Sequence, residues 1–546
     1  MTESSPSRPE PAGPDAASSA VAAVTAAYTF DAPALQLGAL VVDGAPRAEA
    51  QVRIPLAMLN RHGLVAGATG TGKTKTLQSL AEQLSAAGVP VFLADIKGDL
   101  SGLGVAGESS DKLLKRAVAL GQTWTASAFP VDFLSLGGMG EGTPVRATVT
   151  SFGPNLLAKV LGLNETQESC LELVFHYADG KGLPLLDLKD LRAVVQYLTS
   201  DEGKGELKDL GGVSPATAGV ILRELTAFAA KGAEQFFGEP EFDVHDVLRT
   251  APDGRGVISV LELPSVQDRP ELFSTFLMWL LAELFETLPE VGDVERPKLV
   301  FFFDEAHLLF NGATKAFLDS VTQTVRLIRS KGVGVFFVTQ TPKDVPSAVL
   351  AQLANRIQHA LRAFTPDDAK ALKATVSTFP KSHYDLAEVL TSLGIGEAVV
   401  TVMSETGAPT PVAWTRLRAP ESRMAPMNPA AMAAATAASP VNARYAQPVD
   451  RDSAYEMLSR RLADSQPALD AANSTPGTPE DASTGADGAS EPPRAPAQAR
   501  SRSRTSAPEA QPSALEAILS NKTAQKIVDN FTRELARGIF GTRKRR

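Results

Sequence analysis

The sequence predicts an α/β fold in which helices cover a parallel sheet on both faces. Short apolar runs recur without the polar alternation of a half-exposed strand, and polar or helical sequence follows each of them, at residues 64–66, 89–94, 257–261, 299–303 and 333–338. The first run leads at once into a glycine-rich turn and then into a segment whose leucines recur at helical spacing up to Gly88. Strands that alternate with helices in this way favour a parallel sheet.

The first 60 residues precede the main domain. Residues 1–27 are rich in alanine, proline and serine and hold few large apolar side chains, so this stretch predicts a disordered tail. Residues 28–60 predict a short β segment, with strands near 35–42 and 51–54 that glycine and proline interrupt.

The main domain is predicted in two parts, with a helical insertion between them. Residues 61–153 and 251–420 carry the strand pattern of the core. Helical periodicity replaces this pattern in residues 154–250, which we therefore assign to the insertion.

The last part of the chain changes composition. Residues 421–512 are rich in alanine, proline, serine and threonine, which predicts a flexible linker with a short helix near 453–464. Apolar residues return at helical steps in 513–546, which predicts an amphipathic helix with a basic end, Arg543-Lys544-Arg545-Arg546. Three roles stay open for this helix: docking on the rest of the chain, binding a protein partner, and attaching to a membrane surface.

Composition excludes several classes of protein. The 546 residues are 44% hydrophobic, which predicts two or three folded units and excludes a chain disordered throughout. Cys170 is the single cysteine, so an internal disulfide and a zinc cluster of paired cysteines are excluded. No apolar run reaches the ~20 residues of a membrane span, and residues 1–18 do not resemble a secretory signal. We therefore expect a cytoplasmic protein. The net charge of −9 excludes a basic surface over the whole chain.

The strongest signal for chemistry is a phosphate-loop pattern between the first strand of the core and the helix after it. Closely spaced glycines let backbone N–H groups face one centre, and the helix adds the positive end of its dipole. Lys73 can then bind the β and γ phosphates, and the Thr74 hydroxyl can bind Mg²⁺. The predicted nucleotide-binding residues are Gly67, Ala68, Thr69, Gly70, Thr71, Gly72, Lys73, Thr74 and Lys75. A plain glycine turn is the alternative, and the position between strand and helix disfavours it.

Two adjacent acids follow the apolar run 299–303. Asp304 is predicted to hold Mg²⁺, and Glu305 to orient or polarise the water that attacks the γ-phosphate. Acids at strand ends also cap helices, and that alternative stays open for the pair taken alone. An acid pair downstream of a phosphate loop favours nucleotide hydrolysis over transfer of the phosphate to a small molecule.

Further candidates lie after the run 333–338. Gln340 can contact the γ-phosphate or the attacking water, or it can simply cap the end of its strand. Hydrolysis also calls for an extra cation, which a neighbouring subunit can donate; Arg356 and Arg362 are the candidates, ahead of Arg326 and Arg329. A solvated arginine or an ordinary ion pair is the alternative for each of them.

The order of these motifs resembles that of the HerA/FtsK group of P-loop ATPases. The resemblance covers about residues 38–418 and is carried by 67–74, 93–100, 302–307, 339–342 and Asn355-Arg356. Closer still, 97–103 (KGDLSGL) and 450–456 (DRDSAYE) resemble the bacterial YjgR-like family, described as having a HerA-helicase-like C-terminal domain.

The resemblance implies a RecA-like core of the additional-strand catalytic-glutamate type, in which the Gln340 strand lies between the strands of the phosphate loop and of the acid pair. It also implies a ring, usually hexameric, with sites shared between subunits, and an acid, here Asp95, beside the nucleotide as a secondary candidate. The chain departs from HerA itself because only a short β segment stands in place of the N-terminal barrel, which weakens the transfer of a role in DNA-end processing.

Two functional hypotheses follow. The first is a Mg²⁺-dependent ATPase that forms a homo-oligomeric ring and moves along DNA without reading its sequence, with cations such as Lys331 and Lys343 lining a pore. The second is an ATP-dependent assembly or switch protein that acts on a protein partner through the C-terminal tail, without DNA translocation. ATP and Mg²⁺ are the cofactors in both.

Overall fold

The structure, a computed structural model, describes residues 14–311 and 313–473. Within these residues twelve strands form one sheet. They are β1 (Ala34–Val42), β2 (Ala45–Pro55), β3 (Gly63–Ala66), β4 (Val91–Asp95), β5 (Val131–Leu136), β6 (Thr143–Val145), β7 (Ile258–Glu262), β8 (Leu299–Phe303), β9 (Val333–Thr339), β10 (Asn355–His359), β11 (Glu397–Thr401) and β12 (Ala413–Leu417).

The strand order across the sheet is β2-β1-β12-β11-β10-β3-β9-β8-β4-β7-β5-β6. All neighbours from β10 to β6 pair in parallel, whereas β10, β11, β12, β1 and β2 pair antiparallel in turn. The predicted α/β class is therefore confirmed. So is the strand arrangement that the family resemblance implies, because β9 pairs with β3 on one side and with β8 on the other.

The described residues also form helices. They are α1 (Pro14–Ala27), α2 (Lys73–Ala86), α3 (Asp111–Ala119), α4 (Val149–Phe152), α5 (Pro154–Val160), α6 (Glu165–Gly180), α7 (Leu188–Thr199), α8 (Pro215–Ala230), α9 (Pro270–Thr287), α10 (His307–Phe310), α11 (Lys315–Ile328), α12 (Ser347–Leu350), α13 (Pro366–Val376), α14 (Leu386–Ser392), α15 (Pro429–Ala438), α16 (Pro440–Tyr445) and α17 (Ala454–Asn473).

The central strands are buried on both faces because their side chains are apolar on both faces. Every residue of β3, β4, β7, β8 and β9 is buried. Phenylalanines link neighbouring strands: the ring of Phe302 lies 5.2 Å from that of Phe336, and the ring of Phe301 lies 4.9 Å from that of Phe92. The apolar runs of the sequence match these strands to within one or two residues.

The insertion region contains helices, as its periodicity indicates. Helices α5 to α8 follow one another between β6 and β7, and no strand of the sheet falls between those two strands. Helix α6 begins at a capping box, in which Asn164 accepts a hydrogen bond from the Gln167 N–H and the Gln167 side chain accepts one from the Asn164 N–H.

The structure of the N-terminal segment differs from the prediction. Residues 1–27 are predicted to be disordered, but residues 14–27 form α1, which packs against the β1–β2 hairpin. Residues 1–13 lie outside the described residues. Alanine favours the helix, and Val24 and Tyr28 join the core, where the Tyr28 hydroxyl donates to the Val400 and Pro411 carbonyl oxygens. Val24 and Tyr28 are four positions apart, a spacing that places two side chains on one helix face.

The first part of the predicted linker also differs from the prediction. The part of residues 421–512 up to 453 packs on the sheet domain, with helices α15 and α16 and with Met427, Met432, Val441 and Tyr445 buried. Only a few of its large apolar side chains make this packing, and Met424 and Val449 stay exposed, so composition averaged over the stretch hides it. The rest of the predicted linker beyond residue 473 and the C-terminal helix of 513–546 lie outside the described residues.

The chain divides into two compact units. The first holds the sheet and its helices up to Tyr455. The second begins at Glu456, and its described part is the helical stretch 456–473. The short helix predicted near 453–464 overlaps α17, which begins at Ala454.

Candidate nucleotide-binding site

The phosphate loop lies at the carboxyl end of β3 and runs directly into α2. Gly72, the residue before the helix, has a φ of 108°, which residues other than glycine rarely adopt. At Gly67 space is the limit, because an added Cβ would lie 2.4 Å from the Cβ of His359. The loop therefore needs glycine at both ends for physical reasons independent of any ligand.

Neighbouring strands hold the loop in place through its backbone. The Gly67 N–H donates to the Thr339 carbonyl at the end of β9 (3.1 Å), and the Ala68 N–H donates to the Ala360 carbonyl just after β10 (2.8 Å). On the other side, the Gly396 N–H donates to the Thr71 carbonyl (2.9 Å). These bonds fix the loop before any phosphate binds.

Lys73 folds back across the loop that it follows. Its Nζ donates to the Gly67 carbonyl (2.7 Å) and to the Ala68 carbonyl (3.3 Å), and the side chain is buried. Burial lowers the pKa of Lys73, while the charges of Glu305 and Asp304 act to raise it. The ammonium group is thus held against the backbone of the phosphate loop.

Asp304 follows β8 and has a carboxylate oxygen without a partner. The residue is 5% exposed, and its Oδ2 is buried without a hydrogen-bond partner. Burial, with the charge of Glu305 next, raises its pKa to about 7. A buried, unpartnered carboxylate oxygen is costly, and a hard cation such as Mg²⁺ would satisfy it. The donor set therefore fits the predicted metal.

Carboxylate oxygens of Asp95, Asp99 and Asp304 all lie within 4.8 Å of one another. The carboxylate of Asp95, the secondary candidate, already accepts hydrogen bonds from the backbone. Its Oδ1 accepts from the Lys97 and Gly98 N–H groups, and its Oδ2 accepts from the Leu100 N–H. Burial raises its pKa to about 6. Asp95 thus orders the loop of residues 96–100, and Asp99 is an acid near the site that the sequence motifs did not single out.

Glu305 is buried beside Asp304 in a backbone conformation unusual for its type, with a φ of 46°. Its Oε1 forms an ion pair and hydrogen bond with the Lys97 ammonium group, and its Oε2 lies 3.3 Å from the His307 Nδ1 without hydrogen-bond geometry. Burial acts to raise the pKa of Glu305, but Lys97 and Lys73 together lower it below its ordinary value. Glu305 is therefore a carboxylate and can accept a proton.

Gln340 lies at the exposed end of β9, and Thr339 before it bonds to the phosphate loop. It lines an open cavity of about 330 Å³ together with Ala68 and Thr69 of that loop, Arg362 and Phe364. Phe364 is 81% exposed there. The structure thus places Gln340 beside the phosphate loop.

The two candidate arginines lie in different environments. Arg356 is within β10, half-buried, and its Nη1 donates to the Thr378 hydroxyl (2.5 Å). Arg362 is exposed and lines the cavity beside the phosphate loop. The structure brings Arg362 next to the loop and keeps the Arg356 guanidinium at a different part of the surface.

None of the helices described, from α1 to α17, is both long and apolar enough to cross a lipid bilayer.

Comparison with known proteins points to one family. A family model described as "Helicase HerA-like C-terminal" matches residues 41–546. The chain is 22% identical over 377 residues to a "DNA double-strand break repair helicase HerA" of Sulfolobus acidocaldarius, which is 68% of this chain and 67% of that protein. For the protein of the same name from Sulfurisphaera tokodaii the identity is 24% over 365 residues, 64% of each chain. The chain thus spans about two thirds of the length of these relatives.

The fold resembles that of a solved conjugation protein. A crystal structure of the "bacterial conjugative coupling protein TrwBdeltaN70" in complex with sulphate superimposes with a TM-score of 0.50 and 17% sequence identity, covering 74% of this chain and 94% of that one. This likeness supports the RecA-like fold of the core. Because the family match covers most of the chain and the P-loop site has the expected geometry, the chain belongs to the HerA-like family of P-loop ATPases.

Proposed function

We propose that this protein hydrolyses ATP with Mg²⁺ at the site formed by the phosphate loop and the acids after β8. The observation that carries the proposal is the unpartnered Oδ2 of Asp304, buried next to the Glu305 carboxylate and close enough to Lys73 for their charges to interact. A preformed anion-binding loop and a carboxylate oxygen without a partner are complementary to a metal-bound triphosphate.

Asp304 and Thr74 are the residues that would hold Mg²⁺. When bound, the ion neutralises charge on the β and γ phosphate oxygens. Lys73 would exchange its contacts with the Gly67 and Ala68 carbonyls for phosphate oxygens. The backbone N–H groups at the start of α2 add the positive end of the helix dipole.

Glu305 would act on the attacking water. The water oxygen forms a bond to the γ-phosphorus as the bond from phosphorus to the bridging oxygen breaks, and ADP leaves with that electron pair. Glu305 orients the water and accepts its proton, which its charged state allows. Gln340, at the end of the strand between β3 and β8, is proposed to contact the γ-phosphate.

Arg362 is the better candidate for the additional cation. It is exposed beside the phosphate loop, whereas the Arg356 guanidinium donates to Thr378. Whether Arg362 serves its own subunit or a neighbour is decided by mixing two inactive variants. If the arginine acts in trans, Arg362→Ala mixed with Lys73→Ala recovers part of the lost turnover, because some interfaces then combine an intact Arg362 with an intact Lys73.

A hexameric ring that moves along DNA is the finer proposal, and it is supported by relatives whose names describe DNA repair helicases. The net charge of −9 requires the basic surface to be local, as in a pore. Lys331 is occupied, since its Nζ donates to the Leu288 carbonyl and lies over the Phe285 ring, so the exposed Lys343 is the better candidate of the two.

The alternative, an ATP-dependent switch that acts on a protein partner through the tail, depends on residues after 473 and stays a prediction. The cytoplasmic location also stays a prediction. Deleting residues after 473 separates the two functions: a DNA motor keeps DNA-stimulated hydrolysis, whereas a switch loses its partner.

The test of hydrolysis is a Glu305→Gln variant. We expect it to bind ATP with Mg²⁺ as the wild type does, and to turn over about 10² to 10⁴ times more slowly, because only the general base is removed. Wild-type activity is measured with and without duplex DNA across a salt series. Equal turnover in the variant would exclude Glu305 from the mechanism, and an absence of DNA stimulation at low salt would exclude the motor.

A further inference from the structure

Lys97 is a charged residue at the site for which the motifs predict no role. It lies in the loop after β4, and its ammonium group pairs with Oε1 of Glu305, which follows β8. The two strands are neighbours in parallel, with Ala94 opposite Phe303, so the segments that leave their carboxyl ends emerge side by side. The contact is thus a product of the sheet topology.

The loop that carries Lys97 is tightly fixed. Asp95 accepts hydrogen bonds from three of its N–H groups, at residues 97, 98 and 100. Leu100 is fully buried, and a Cβ added at Gly98 would lie 3.0 Å from the Pro264 ring, so the loop also packs against the segment after β7. A long lysine side chain held at its base in this way can fix the group at its tip.

The Glu305 carboxylate, by contrast, has no hydrogen-bond partner among the described residues except Lys97. Its φ of 46° is an unfavourable conformation for a glutamate, which persists only where surrounding contacts enforce it. The His307 Nδ1 near its Oε2 lacks hydrogen-bond geometry, and Oε2 is buried without a partner. The contact with Lys97 therefore fixes one carboxylate oxygen and leaves the other available.

We propose that Lys97 is a positioning residue for ATP hydrolysis, which holds Oε1 of Glu305 so that Oε2 faces the attacking water. This inference rests on the proposed function of Glu305. Lys97 acts through Glu305, whereas the phosphates are served by Lys73, which is buried within the loop. The Lys97 side chain itself is 43% exposed.

The test compares kcat with the affinity for ATP. We expect Lys97→Met to lower kcat by about 10- to 100-fold, the size of effect that a misplaced catalytic group produces, while the Kd for Mg-ATP changes less than about threefold. Lys97→Arg keeps the positive charge and should recover most of the turnover. Lys97→Gln serves as a second neutral variant if the methionine variant does not fold, and thermal unfolding verifies folding for each. Lys112→Met, at an exposed position on α3, is the matched control and should behave as the wild type.

A double-mutant comparison completes the test. In the Glu305→Gln background, Lys97→Met should cause little further loss, because the group that it positions is already gone. Equal losses in both backgrounds, or a rise in Kd with kcat unchanged, would overturn the proposal in favour of direct phosphate binding. If wild type and Lys97→Met are equally active while Glu305→Gln is inactive, the proposal fails and the proposed function stands. If the wild type does not hydrolyse ATP, both fail.

Discussion

Two buried carboxylates of this protein have opposite surroundings. Glu82, on α2, is 3% exposed, and both of its oxygens are used: Oε2 accepts from the Glu421 N–H, and Oε1 accepts from the N–H and hydroxyl of Ser422. Asp304, after β8, is 5% exposed, and its Oδ2 has no partner. The first acid attaches the chain after β12 to the helix of the phosphate loop, and the second faces the place where we expect the nucleotide.

Two further side chains, those of Gln78 and Gln122, also form hydrogen bonds with the chain after β12. Gln78 donates to the Ser422 hydroxyl (2.6 Å) and to the Arg423 carbonyl (2.9 Å), and the Gln122 side chain exchanges two hydrogen bonds with the Ala419 backbone. We call residues 418–427 the closing segment. The side chains of Gln78, Glu82 and Gln122 find their partners within this segment, which is how structural polar groups are normally buried. The contrast is consistent with the proposal that the free Oδ2 of Asp304 serves a ligand.

The largest effect that tests this contrast is expected for Asp304→Asn. Loss of the charge should reduce Mg-ATP turnover by at least about 10²-fold, because the metal loses a carboxylate. The free energy of unfolding without ligand should stay equal or rise, since no internal hydrogen bond of Oδ2 is lost. Turnover and urea unfolding measure the two quantities, with the exposed Asp319→Asn as control. A clear loss of stability would mean that Asp304 has a structural partner.

Glu82→Ala should do the opposite. At pH 6 it leaves the Glu421 and Ser422 N–H groups buried without an acceptor, so we expect a loss of about 2–4 kcal/mol of unfolding free energy. The kcat of the folded fraction should stay close to that of the wild type, because Glu82 contacts the closing segment. Chemical unfolding and active-site titration measure this, with the exposed Glu108→Ala as control. Loss of kcat with full stability would place Glu82 in the catalytic machinery.

The dependence of stability on pH sharpens the comparison further. Burial raises the pKa of Glu82 from its ordinary 4.5 to about 7, despite the hydrogen bonds from Ser422 and Glu421 that lower it. The folded state then binds more protons than the unfolded state between these values, so stability falls as pH rises through that window. At ~1.4 kcal/mol per pKa unit, the full effect is about 3 kcal/mol.

Unfolding free energies at pH 5, 6, 7 and 8 test this. The penalty for Glu82→Ala, measured against the wild type, should shrink as pH rises, because the wild type alone loses the contribution of this carboxyl group. A penalty that stays constant over this range would show that Glu82 is charged throughout in the folded protein.

The local part of the site could be predicted from sequence, and the part that depends on topology could not. Glycine spacing, a lysine and a strand ending in acids are patterns within one segment, so the phosphate loop and the pair Asp304 and Glu305 were predicted directly. The contact of Lys97 with Glu305 depends on β4 lying beside β8, which no spacing along the chain reveals.

The same distinction between local pattern and topology explains where the predicted fold is wrong. Strand β8 is apolar throughout and was predicted to the residue, whereas β10 reads as polar and was missed. The burial of β10 depends on side-chain hydrogen bonds, such as those from the Asn355 Nδ2 to the Met58 and His62 carbonyls. The closing segment is partly assigned to a linker because the stretch from residue 421 is rich in alanine, proline, serine and threonine, although a few of its residues make specific contacts.

The smallest effect is expected at Arg356, whose guanidinium already has a hydrogen-bond partner within the chain, the Thr378 hydroxyl. Arg356→Met removes the hydrogen bond to the Thr378 hydroxyl at a half-buried position, so it should cost about 0.5–1.5 kcal/mol of unfolding free energy and leave turnover within about twofold. Thr378→Ala removes the same bond from the other side and is the matched control. Because both variants lose one contact, the double variant should cost little more than either single one. A loss of turnover in Arg356→Met that Thr378→Ala does not share would instead mean that the guanidinium leaves Thr378 to serve a nucleotide site.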